Sequence, residues 1–127
     1  MRPPCELLQS ELLTGMRALI AINLRKQEIK KFSQSKIANI LQISQPVIHA
    51  YLKLPEEELL KRYPLLMDPS VQENVDKIVD EIVNDASSSQ LIQYICSTCY
   101  HLRVRGPICV LHRKITSLDQ NCQLCLP

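Results

Sequence analysis

SQSKIANILQISQPVIHAYLK, residues 33–53, carries the marks of two short helices joined by a tight turn. Ser33 is a helix N-cap, and Ile37, Ala38 and Leu41 fall on one face of the helix that follows. Ala38 stands where the two helices cross, and its small side chain lets the backbones approach. Ile43 plugs the core from the turn. Ser44 caps the second helix, and Gln45 and Pro46 fill its first turn, where proline sacrifices no helical hydrogen bond. Ile48 and Leu52 then face inward, which leaves Gln45, Pro46, Val47 and His49 facing out.

This stretch resembles the helix-turn-helix of the lambda-repressor-like family of DNA-binding domains. It departs from that family at Gln42, where glycine usually occupies a turn position of positive φ. A non-glycine residue there costs about 1 kcal/mol and is expected to alter the turn slightly. The resemblance implies that the second helix enters the major groove of double-stranded DNA by its N-terminal end. Ser44, Gln45, Pro46, Val47 and His49 would form the reading face. The Gln45 amide suits adenine, and His49 suits a guanine or a phosphate. Gln34, Lys36 and Lys53 are placed to hold phosphates, which set register and affinity but not sequence.

The charge pattern outside this stretch agrees. The 127-residue chain has a net charge of +2, yet residues 1–53 carry eight Lys or Arg against three Glu. Residues 54–90 reverse this, with nine acidic and three basic residues, and the remainder has four basic and one acidic. The basic front suits a polyanion. Three segments are therefore expected: a DNA-binding domain over 1–53, an acidic helical connector over 54–90 and a cysteine-rich tail over 91–127. With two Gly, one Phe and no Trp, the composition favours an all-α fold over a sandwich or barrel. The length excludes two large catalytic domains.

Ahead of the two-helix stretch, Leu8, Leu12, Met16, Leu19, Ile20 and Leu24 recur at three- and four-residue steps. They predict one helix from Glu6 to about Lys31 with a single buried face, bent at Gly15. Behind it, Pro55 opens a short helix with three glutamates in its first turn, and Pro64 and Pro69 interrupt the chain. Ser70 to Glu73 reads as a capping box. The stripe Val71, Val75, Ile78, Ile82, flanked by Val79 and Val83, reads either as one face of a core or as the seam of a homodimer.

The tail holds five of the six cysteines. Ser87-Ser88-Ser89-Gln90 offers a cap for a helix that leads into C-x2-C-x9-C-x2-H-x9-C-x2-C, through Cys96, Cys99, Cys109, His112, Cys122 and Cys125. Two readings fit. Cys96, Cys99, Cys122 and Cys125 make a four-thiolate zinc set. Alternatively, Cys96, Cys99 and Cys109 hold an iron–sulfur cluster, with Cys5, Cys122 or His112 as the fourth ligand. Disulfides remain a third reading, although a cytosol keeps most thiols reduced. No βαβ pattern surrounds the C-x2-C pairs, so a dithiol oxidoreductase is not expected.

A longer resemblance joins these parts. Pro4-Cys5-Glu6, Met16-Arg17-Ala18, Gln34 with Ile37-Ala38, Leu41 and Ser44-Gln45, then Tyr51-Leu52, and Cys96-x2-Cys99-x2-Leu102-Arg103-x2-Gly106-x2-Cys109-x2-His112 follow in the order of a family of archaeal predicted transcriptional regulators. The chain is similar to that family over most of residues 4–112. The resemblance implies that Cys5, Cys96, Cys99 and Cys109 share one site, stapling the start of the first helix to the tail. Loss or oxidation of the bound metal would then loosen the DNA-binding element.

The expected protein is a cytoplasmic, sequence-specific transcriptional regulator, paired as a homodimer, whose zinc or iron–sulfur site is placed to sense metal or redox state. No leader peptide is expected at Arg2-Pro3-Pro4, and no window approaches the roughly 18 apolar residues of a membrane span. No carboxylate pair, nucleophile motif or phosphate loop points to an enzyme. The rival reading is an antitoxin-like adaptor, in which the two-helix stretch is scaffold and the tail a zinc clip.

Overall fold

The computed structural model of the chain describes residues 8–28 and 30–105. All regular structure among them is helical. Helix α1 is Thr14–Arg25, and a π-helical turn, Gln9–Leu13, runs into it without a break. Helix α2 is Gln34–Leu41, α3 is Gln45–Lys53 and α4 is Glu56–Arg62. A 3-10 turn, Pro64–Met67, leads to α5, Pro69–Val83, and then to α6, Ser88–Arg105.

Helix α1 is the hub, packed on by α2, α3, α4 and α5. Its expected single buried face proves too narrow. Besides Met16, Leu19, Ile20 and Leu24, the residues Gly15, Ala18, Ala21 and Ile22 are also buried. Each large apolar side chain taken fully from water contributes roughly 1.5–3 kcal/mol. The helix ends at Arg25, short of Lys31, and Lys26 and Gln27 close it with bonds to the carbonyls of Ile22 (3.3 Å) and Leu24 (3.2 Å). Arg25 then reaches forward, its Nη1 donating to the Phe32 carbonyl at 2.9 Å.

Gly15 is not a bend in a regular helix. The departure from α geometry comes one turn earlier, in the π-helical segment, where Thr14 Oγ1 donates to the Gln9 carbonyl at 3.3 Å. Gly15 instead marks a close approach: a Cβ there would stand 2.8 Å from Tyr63 Cγ and 3.0 Å from Leu66 Cδ1. Glycine lets the 64–67 turn press onto α1.

The caps follow local chemistry. Ser33 Oγ accepts from Lys36 N at 3.1 Å and starts α2. At the far end of α2 a Schellman-type bond runs from Ile43 N to the Ala38 carbonyl at 3.0 Å. It requires left-handed backbone at Gln42, which has φ 56° and ψ 44°. The turn thus keeps the conformation glycine would favour. For α5 the capping residue is Asp68, not Ser70: Asp68 Oδ1 accepts from Ser70 N at 2.9 Å and Ser70 Oγ at 2.8 Å. Pro69 takes the first helical position, so the helix begins before the expected box. Ser87 and Gln90 cap α6 reciprocally, Ser87 N donating to Gln90 Oε1 at 3.1 Å and Gln90 N to Ser87 Oγ at 3.5 Å.

Helix α6 returns along α5, and the pair is locked internally by Asn74 Nδ2 donating to Thr98 Oγ1 at 2.7 Å. The β-branched stripe of α5 lies inside the chain. Val71, Val75, Ile78, Val79 and Ile82 are all buried, so the stripe has no free face for a second copy. One apolar cluster runs from Leu8 through Ile37 and Ile48 to Ile82 and Leu102, joining residues from all three expected segments. No described helix is long and apolar enough to cross a membrane.

Candidate nucleic-acid interface

Helix α3 is held from beneath. Ile48 is fully buried, Tyr51 and Leu52 are half-buried against the core, and the Ile48 amide bonds to the Ser44 carbonyl at 3.2 Å. This anchoring turns the opposite face outward. Ser44, Gln45, Pro46, Val47, His49 and Lys53 are exposed, as the residue pattern of 33–53 indicates. Ala50 is exposed among them too. It escaped notice because alanine is neutral in a hydrophobic pattern, but its small side chain leaves the middle of the face low.

Ser44 has the extended backbone of an N-cap, φ −64° and ψ 148°, but its hydroxyl makes no cap bond. The first turn of α3 therefore presents its N–H groups without a side-chain cap, at the positive end of the helix dipole. Among the described residues no intrachain hydrogen bond engages the side chains of Gln45 or His49. Their donors and acceptors are available to an outside partner.

The basic residues of the front divide into two groups. Lys26 pairs with Glu56 at 3.0 Å, and Lys30 pairs with Asp85 at 2.8 Å. Both hold the fold together. Lys36 leans over the Phe32 ring, 4.9 Å from its centroid, so part of its attraction is already engaged. Gln34, half-buried at the start of α2, lies beside it in sequence. Lys53, in the last turn of α3, is the expected phosphate holder left most open.

Arg17 was missed in the sequence because it sits off the apolar stripe of α1. Its charge acts on Tyr51 of α3, whose hydroxyl pKa is raised first by burial and next by Tyr63, with the Arg17 charge offsetting a smaller part of that rise. Tyr51 stays a neutral phenol near neutrality and serves as packing with a polar edge.

On α6, Cys96 is exposed and Cys99 is half-buried one helical turn later. They are two thiols of the four that a tetrahedral zinc or an iron–sulfur cluster takes, and their i, i+3 spacing suits one ion. Cys5, Cys109, His112, Cys122 and Cys125 lie outside the described residues. Among the described residues no three His, Cys, Asp or Glu converge as metal ligands. No family model, curated protein or solved structure matches the chain.

Proposed function

We propose that the chain is a sequence-specific DNA-binding transcriptional regulator of the helix-turn-helix type, with α2 and α3 as its two helices. The observation that carries this is the outward face of α3: Gln45, Val47 and His49 exposed and unengaged, over a fully buried Ile48. A helix so supported lies in the major groove with Gln45 nearest the bases, and its amide is matched to the N6 and N7 edge of adenine. Lys53 and Lys36 hold phosphates on either side. Pairing of two copies on a palindromic operator belongs to the same reading, with the contact made away from the α5 stripe.

The thiols of the C-terminal segment complete the proposal. Cys96 and Cys99, with Cys109 and Cys5 or with Cys122 and Cys125, would hold zinc or an iron–sulfur cluster, and the bound group would staple the tail to the body. The resemblance to archaeal predicted transcriptional regulators supports this order of parts.

A mobility-shift titration against random and genomic fragments tests the DNA reading. Gln45→Ala with His49→Ala is expected to narrow the affinity gap between operator and random DNA by about 10- to 100-fold, while Lys53→Ala weakens both about equally and lowers the salt slope by about one. Equal binding of all fragments by the unaltered chain would remove the assignment.

A further inference from the structure

The outward face of α3 divides into a polar flank and an apolar centre. Pro46 and Ala50 stand two residues either side of the fully buried Ile48, so at about 100° per residue both lie within about 20° of the direction opposite to it. They form the centre of the exposed face. Gln45 and His49, one turn apart, share the flank on one side, while Val47 takes the other, three residues before Ala50. Pro46 and Ala50 are exposed, and Val47 is a large apolar side chain left 37% exposed. None of these three side chains can donate or accept a hydrogen bond, and Pro46 lacks even the backbone N–H.

On the DNA reading, which this inference rests on and narrows, that apolar surface meets base edges in the major groove. Only one feature of those edges is apolar, the C5 methyl group of thymine. A cytosine amino group, or the O6 and N7 of guanine, turned against Val47 would give up water and find no partner, at a cost greater than the loss of one weak contact. The methyl group gains by leaving water. Ala50 adds almost no height at the centre of the face, so the helix can approach closely enough for Val47 to reach a base. A protein is the weaker partner for this patch: three residues fall far short of the roughly 20–30 that a stable protein interface draws from each side.

We infer that Val47, backed by Pro46 and Ala50, selects thymine at one position of the bound site by packing on its C5 methyl group. Gln45 lies on the opposite flank, so the two residues read different bases: the amide an adenine, the isopropyl group a thymine methyl. The same methyl group occurs on 5-methylcytosine, but there an amino group comes with it and would go unpaired.

The test starts from the duplex that the unaltered chain selects out of a random library. Each thymine in it is replaced in turn by uracil, which removes the methyl group and leaves every hydrogen bond of the base pair in place. At one position the change is expected to weaken binding about fourfold, the worth of one methyl group taken from water, and Val47→Ala should shrink that penalty below about 1.5-fold. The variant alters an exposed position and raises helix propensity, so its helical content should match the parent. Gln45→Ala should leave the uracil penalty as it is while relaxing the choice of adenine. A selected duplex with no uracil-sensitive thymine, or a penalty that persists undiminished in Val47→Ala, would overturn the inference and leave the DNA reading standing. Binding as tight with a 5-methylcytosine–guanine pair in place of that thymine pair would overturn it in favour of a methylated site. If no duplex is selected over random DNA, the DNA reading falls and this inference falls with it.

Discussion

Lys30 Nζ lies 2.8 Å from Asp85 Oδ1, across 55 residues of chain, and 3.4 Å from the Val83 carbonyl. The ammonium thus ties the approach to α2 onto the C-terminal end of α5, where a cation is favoured by the helix dipole. Asp85 meets it from left-handed backbone, φ 59°, a conformation that Asp and Asn tolerate better than most residues. The Lys30 hydrogen bond, then the Lys30 charge and a smaller pull from Lys36, hold the Asp85 carboxyl below its ordinary value of 3.8. Stability from this pair is complete above that value and is lost as pH falls through the lowered one. Asp85→Asn keeps the backbone and removes the charge. Its thermal midpoint should lie below that of the parent near neutrality, and the gap should close as the medium is acidified through the carboxylate range. A gap that is constant with pH would show that the pair adds nothing through its charge.

Gly15 packs against the Tyr63 side chain, with no room for a methyl group. Gly15→Ala gains helix propensity of about 1 kcal/mol, but its Cβ would stand 2.8 Å from Tyr63 Cγ. Overpacking of this kind costs about 1–3 kcal/mol, so the net change is expected to be destabilising or near zero. The sign of the contact shows in a double-mutant cycle. In a Tyr63→Ala background the same Gly15→Ala change should become stabilising, read as a shift of the urea midpoint. If the effect of Gly15→Ala is the same in both backgrounds, Tyr63 is not what requires the glycine.

These two contacts mark where the sequence is legible and where it is not. The bounds of α2 and α3, the Ser33 cap and the inward set around Ile48 are written in short-range chemistry and can be read from 21 consecutive residues, 33–53. The outward face of α3 follows by subtraction. Gly15 is different, since its reason is Tyr63, which no local pattern connects to it. Ala18 and Ala21 are ambiguous in any hydrophobic periodicity, so the burial of α1 on nearly all sides becomes visible only once α3, α4 and α5 surround it. The α5 stripe reads as amphipathic from the sequence alone, but what covers it is a property of the packing. The cap at Asp68 was hidden by Pro69, which begins a helix without needing the serine after it. Of the expected metal ligands, Cys96 and Cys99 alone fall within the described residues.

The buried polar contact between α5 and α6 offers a third test. Thr98 Oγ1 accepts from Asn74 Nδ2 at 2.7 Å and donates to the Tyr94 carbonyl at 2.8 Å. Thr98→Val removes the acceptor and leaves the buried Asn74 amide unsatisfied, at a cost of about 1–3 kcal/mol. Asn74→Leu in the same background removes the orphan and should recover part of the loss, as a denaturant titration would show. If the double variant is no better than Thr98→Val, the amide was not the source of the cost.

Gln42 gives the prediction that links stability to the proposed DNA surface. Its φ of 56° is required by the bond from Ile43 N to the Ala38 carbonyl, and its side chain is exposed. Left-handed backbone costs an ordinary L-residue about 1–2 kcal/mol, whereas glycine adopts it freely. Glycine also gains freedom in the unfolded chain, which offsets part of that advantage. Gln42→Gly is therefore expected to stabilise by about 0.5–1 kcal/mol, and Gln42→Val, β-branched at a positive φ, to destabilise by more than 1 kcal/mol. Because the turn already has the geometry that glycine prefers, Gln42→Gly should leave the α2–α3 angle and any DNA affinity unchanged. A Gln42→Gly variant that gains stability but changes its discrimination between DNA sites would mean that the Gln42 side chain itself takes part in binding.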